Sequence, residues 1–123
     1  MKPDSKLALT VLRVGFSLLM LRHGIPKINM LFESPIEFAD PIGVGPLVSL
    51  ILTLIGEVVC PILILIGIKT RLATIPVIIT MLVAAFIVHG SDPFQKKEMA
   101  ILFALGFIVI LIGGPGKFSI DKK

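Results

Sequence analysis

Tryptophan and tyrosine do not occur in this chain, histidine occurs twice and cysteine once, and charged residues make up only 16% of its 123 positions. Each shortage closes something off. Without Trp or Tyr no interfacial aromatic belt can be read, because Phe has no polar edge to place in the headgroup layer. A single cysteine, Cys60, forbids an intramolecular disulfide. That removes the paired-thiol chemistry of a membrane disulfide exchanger and the ligand set of an iron–sulfur cluster. The two histidines, His23 and His89, fall toward one end of the apolar runs rather than opposed at mid-depth, so no haem site is encoded. Together with Glu98 they follow no zinc spacing, and no metal site is expected. Period-two alternation is also missing, which excludes a membrane β-barrel.

What is present is apolar and comes in blocks. Hydrophobic residues make up 55% of the chain, and its mean hydropathy is +1.02, far above a soluble domain. Four spans are predicted at 7–23, 47–67, 72–89 and 95–113, each near the ~20 residues that cross a bilayer. The expected fold is all-α: a transmembrane antiparallel four-helix bundle forming one domain over 1–123. The first span reads as retained rather than cleaved, since Arg13 interrupts it and no small-x-small site follows Arg22.

The net charge of +4 matters less than its placement. Lys2 and Lys6, then Lys69 and Arg71, then Lys117, Lys122 and Lys123 occupy alternate ends of the spans, while Glu33, Glu37, Asp40 and Asp92 occupy the other two loops. The positive-inside rule puts both termini in the cytoplasm. Basic residues so distributed address topology and anionic lipid rather than nucleic acid. Asp4 or Ser5 is expected to cap the first span, Thr70 the third, and Ser91-Asp92-Pro93 the fourth. The segment 28–38 mixes apolar residues with Glu33 and Glu37 as an interfacial helix does.

The organising residue is Glu57, a carboxylate near the middle of the second span. Its cost at that depth is at least ~2.5 kcal/mol, so it must face protein or water and have a partner. Pro61 lacks an amide hydrogen and crowds the carbonyl four residues back, which belongs to Glu57. Ser49, Thr53, Gly56 and Cys60 recur at three- or four-residue steps around it and mark an inward stripe. In the first span Thr10, Arg13, Ser17 and Gly24 share a side, with Lys27 on the same line if the helix continues. An Arg13 to Glu57 ion pair is the expectation, across a depth offset of ~6 Å at 1.5 Å per residue. Such a pair either fixes helix packing or handles a proton or ligand, and both roles stay open. His89 reads either as a helix-end residue or as a ligand group, and Arg22 as a boundary residue reaching the interface.

Arg13, Gly24, Lys27, Glu57, the turn Gly67-Ile68-Lys69-Thr70-Arg71, His89 and the terminal run Gly114-Pro115-Gly116-Lys117-Phe118-Ser119-Ile120-Asp121 follow one another in an order that resembles the DoxX family. The resemblance spans nearly the whole chain, and its most specific pieces are the G-x-x-T-R turn after the glutamate and the G-P-G-x-x-S-[IL]-D end. It implies four transmembrane helices and association with membrane redox systems, including subunits of thiosulfate:quinone oxidoreductases. The expectation is an integral membrane component of a redox system, in a bacterial or archaeal inner membrane, that binds a quinone or comparable small molecule. Whether it is an enzyme is left open, and no tightly bound cofactor is encoded. Candidates for ligand binding or proton handling are Glu57, Arg13, His23, Lys27 and His89, around a pocket opening outward. The competing readings are a membrane anchor or assembly factor for a soluble redox partner, and a small transporter, as a homo-oligomer, that titrates Glu57.

Overall fold

The computed structural model describes residues 3–121, so Lys2, Lys122 and Lys123 of the basic ends lie outside it. The described chain is helical, with no strand. Helix α1 (Ser5–Gly24) starts where the Asp4 carboxylate accepts the Leu7 amide at 3.0 Å, the cap expected of this end. It runs into a 3-10 segment (Ile25–Phe32), which tolerates Pro26 because a proline in a first turn sacrifices no needed hydrogen bond. Helical structure covers only the first part of the predicted 28–38 segment, ending at Phe32, and 33–45 is irregular.

Helix α2 (Pro46–Ile66) crosses in one piece but not in one winding. Its α-helical start (Pro46–Leu54) widens into a π turn (Ile55–Val59), closed by the Cys60 amide on the Ile55 carbonyl, before α-helix resumes (Cys60–Ile66). Pro61 accounts for the place: it cannot donate to the Glu57 carbonyl, and an extra residue in the turn makes room for its ring. Helix α3 (Thr70–Val88) likewise ends in a π turn (Ala84–Val88), closed by His89 on Ala84 at 3.0 Å. Between α2 and α3 the chain turns in three residues, using left-handed backbone at Gly67 (φ 78°) and Lys69 (φ 47°).

Helix α4 (Phe94–Gly113) coincides with the fourth predicted span. It begins directly after Pro93 with no side-chain cap, and Asp92 bonds His89 instead. Among the described residues three helices are long and apolar enough to cross a membrane, and this is an integral membrane protein. Helix α4 has the length, but Lys96, Lys97 and Glu98 fill its first turns. The 15 apolar residues 99–113 span ~22 Å, and long basic side chains can extend such a segment to the interface.

Helix α1 packs on α2 and α4, and α3 packs on α2 and α4. Between them lie Met20, Ile64, Val77, Met81, Phe107 and Ile110, all almost inaccessible. Gly106 makes the α1–α4 contact possible, since a side chain there would occupy the Phe16 ring, which meets Phe103 and Phe107 edge-on at 5.7 and 6.1 Å. Large apolar side chains cover the outside of the helices, where lipid would lie.

The tail after α4 closes the end of the molecule that carries both termini. Gly114 and Gly116 turn it back with positive φ, and a side chain on Gly116 would strike the Lys6 carbonyl and the Thr10 amide of α1 at 2.6 and 2.7 Å. The Ile120 and Asp121 amides then donate to the carbonyls of Ile66 and Gly67. The Asp121 carboxylate accepts the amides of Lys69 and Thr70 at 2.9 and 2.7 Å. A residue from the far end of the chain thus caps α3, in the role expected of Thr70. These bonds, the Thr70 amide first, hold Asp121 below the usual carboxylate range against the opposing effect of burial.

Candidate functional site

Arg13 and Glu57 are both buried, 1% and 2% exposed, but they do not meet. The Arg13 guanidinium turns toward the termini and donates to four carbonyls: Leu65 at 2.8 Å and Ile64 at 3.3 Å from the end of α2, and Lys117 at 2.8 Å and Phe118 at 3.0 Å from the tail. The predicted ion pair is therefore corrected, and helix register gives the reason. Gly24 of α1, not Arg13, lies against Glu57: a Cβ on Gly24 would stand 2.6 Å from the Glu57 carbonyl oxygen. Eleven residues separate Gly24 from Arg13 along α1, a rise of ~16 Å that no arginine side chain spans. The last carbonyls of α2 offer Arg13 the negative end of a helix dipole at its own depth, the Ile64 carbonyl sharing Arg13 with the Gly67 amide.

Glu57 takes Lys27 instead. The ammonium donates to Oε1 at 2.7 Å, and His23 Nε2 lies 3.9 Å from the same oxygen. The continuation of α1 beyond Gly24 brings Lys27 there, and the bare Gly24 lets α1 come close enough. Glu57 sits in the π turn of α2, a kind of insertion often found at functional positions because it re-aims side chains.

The pair stands at the wall of a cavity of about 600 Å³, within the size range of ligand pockets. Five stretches of chain enclose it. The first contributes His23 and Lys27, α2 contributes Ser49, Leu52, Thr53, Ile55 and Glu57, and α3 contributes Pro76, Ile79, Thr80, Ala84 and Val88. His89, Lys96, Met99 and Ala100 complete it, and Phe38, Ala39, Pro41 and Ile42 of the loop before α2 line it from the end away from the termini. The wall is mostly apolar, with polar groups converging from α1 and α2.

Of the predicted residues, Glu57, Lys27 and His23 come together, and His89 lines the same cavity. His89 also bonds Asp92 at 2.8 Å, and that contact holds the Asp92 carboxyl below its ordinary range. Arg13 lies outside the cavity, in the closure of the opposite end. In the sequence Asp40 counts only toward the charge of its loop, although the turn residues Pro41, Gly43 and Gly45 after it are a signal of a further role. Its carboxylate accepts the Val44 and Gly45 amides and the Ser49 hydroxyl, each at 2.9 Å, and so pins the cavity-lining loop to α2. Burial raises the Asp40 pKa, but the bonds from Ser49 and the loop amides outweigh it and leave the carboxyl below its usual range.

The DoxX family model matches residues 8–90. The match takes in Arg13, His23, Lys27, Glu57, the G-x-x-T-R turn and His89, and it stops before the terminal G-P-G-x-x-S-[IL]-D run, so it is shorter than the resemblance read along the sequence. No curated protein and no solved structure matches the chain.

Proposed function

The chain belongs to the DoxX family, and from that premise we propose that it is a membrane component of a redox system that binds a quinone or similar small molecule in the cavity beside Glu57. Its four helices form an antiparallel transmembrane bundle in a bacterial or archaeal inner membrane, with both termini and the Arg13 closure in the cytoplasm and the cavity toward the outer face. The observation that supports the reading is the Lys27–Glu57 pair, joined at 2.7 Å and set in the wall of a mostly apolar cavity of about 600 Å³. A quinone carbonyl needs a hydrogen-bond donor, and Lys27 and His23 supply donors there. Proton handling needs a titratable group within reach, and Glu57 and His23 supply it. Any electron transfer then requires a partner protein or the diffusible quinone itself.

Titration of the purified protein in lipid nanodiscs with decylubiquinone, followed by calorimetry, tests the proposal. Saturable binding is expected, weakened about tenfold, ~1.4 kcal/mol, by Glu57→Gln and by Lys27→Met. Binding indifferent to both substitutions, or no saturable binding, refutes it. A stoichiometric soluble protein that co-purifies, without quinone binding, favours the membrane-anchor reading instead.

A further inference from the structure

Helices α2 and α3 leave their short connection in close contact: Cys60–Ile66 and the π turn at Ile55–Val59 both pack against Thr70–Val83. Beyond the π turn they separate. The Pro46–Leu54 half of α2 packs against the 3-10 segment Ile25–Phe32 rather than along α3. The cavity occupies the space that this divergence opens.

Two of its wall positions on α2, Leu52 and Ile55, and two on α3, Ile79 and, at the helix end, Val88 at 42%, belong equally to the outer apolar surface. Leu52 and Ile55 are 46% and 38% exposed and continue the outward row that includes Val48. Ile79 is 56% exposed and continues the row of Ile75 and Leu82. Where two diverging helices both carry such residues at one depth a cavity breaks through between them; Ile42 and Met99, 53% and 49% exposed, are wall residues of the same kind nearer its outer end. Ile55 lies nine residues from Pro46, and Ile79 nine from Val88. Both are therefore ~14 Å along their helices from the ends away from the termini, at one depth and inside the hydrocarbon layer. At that end of the cavity Asp40 fixes the loop whose residues Phe38 and Ile42 line it.

We infer that the cavity opens sideways into the bilayer between the outer halves of α2 and α3, and that its occupant is a membrane-dissolved molecule whose polar head lies at Lys27 and Glu57 and whose apolar chain leaves through this gap. The inference rests on reading the cavity as a ligand site, and it narrows the ligand to prenylated or alkylated quinones over small water-soluble solutes. Leu52, Ile55 and Ile79 then select the chain, while Lys27 and Glu57 select the head.

Two measurements test it. On a Cys60→Ala background, Thr53→Cys carries a bimane label on the cavity wall, in nanodiscs of dibrominated phosphatidylcholine or exposed to aqueous iodide. Brominated lipid is expected to quench the label more than iodide does, and Leu52→Phe with Ile79→Phe is expected to reduce the lipid quenching. In calorimetry the same pair of substitutions is expected to weaken decylubiquinone about tenfold and to leave the chainless head group, ubiquinone-0, within about twofold. Quenching dominated by iodide overturns the sideways opening, even where quinone binding still depends on Glu57. Lipid quenching without quinone binding upholds the opening and overturns the assigned occupant. Equal weakening of the chainless quinone overturns the role of the gap in selecting the chain.

Discussion

Replacing Arg13 by alanine removes a side chain that joins α1, the end of α2 and the tail. The residue is 1% exposed, and its guanidinium donates to the carbonyls of Ile64, Leu65, Lys117 and Phe118, three of them at 2.8 to 3.0 Å. Hydrogen bonds from a charged group are worth about 1.5–3 kcal/mol each, but they are not additive, and carbonyls at a helix end regain some water. The expected loss is therefore about 3–5 kcal/mol, the scale for stranding buried polar groups. Arg13→Lys keeps the charge but cannot fork between two chain segments, and should lose about half of that. Unfolding by sodium dodecyl sulfate in mixed micelles, followed by circular dichroism, measures it, while cleavage after Lys117 by endoproteinase Lys-C reports release of the tail. Arg13→Ala should unfold at lower detergent fraction and be cut faster. Since Arg13 and Glu57 act at separate places, the Glu57→Gln change should add to the Arg13→Ala loss within about 0.5 kcal/mol. Rescue of Arg13→Ala by Glu57→Gln, or a protected tail in Arg13→Ala, would refute this role.

Lys27→Met leaves Glu57 without its cation and should cost about 3–5 kcal/mol in the same unfolding assay, whereas Lys27→Met with Glu57→Gln should recover most of it, because a stranded buried charge is worse than none. Gly24→Ala places a methyl group 2.6 Å from the Glu57 carbonyl oxygen; forcing α1 off α2 should cost about 1–3 kcal/mol and lower quinone affinity as Lys27 is drawn away. Asp121→Ala removes the α3 cap, with an expected loss of about 1 kcal/mol. Because the folded protein holds Asp121 below its ordinary pKa, its stabilisation is complete above that ordinary value, about 3.9, and fades as pH falls through the lower folded value. Melting temperatures of wild type and Asp121→Asn should therefore differ at pH 7 and converge in acid, and a difference that persists unchanged to about pH 2, below the usual carboxylate range, would contradict the cap.

Much of the helix pattern was legible because it rests on residues acting alone. The apolar runs placed the four helices to within a few residues, the first cap was narrowed to Asp4 or Ser5, of which Asp4 serves, and the Ser49-to-Cys60 stripe with the Thr10-to-Gly24 side identified inward faces that are indeed largely buried. Pro61 pointed to disturbed backbone at Glu57, where the π turn lies. Partner choice was not legible. Thr70 looked like its own helix cap until the tail delivered Asp121, 51 residues away, to the same amides. Glu57 looked like the partner of Arg13 because depths were counted from the span ends, whereas the slide of α1 along α2 decides which residues face each other.

By itself the sequence determined that this is an integral membrane protein, which helices it forms, and that a carboxylate in the second of them must turn inward, since apolar length and the cost of a charge in hydrocarbon are properties of single segments. Only the tertiary structure decided which cation meets Glu57, what Arg13 holds, and where α2 and α3 part to leave a cavity. Those outcomes depend on close approach at Gly24 and Gly106, on the return of the tail, and on the register between helices, and each of these is a relation between segments that no segment encodes alone.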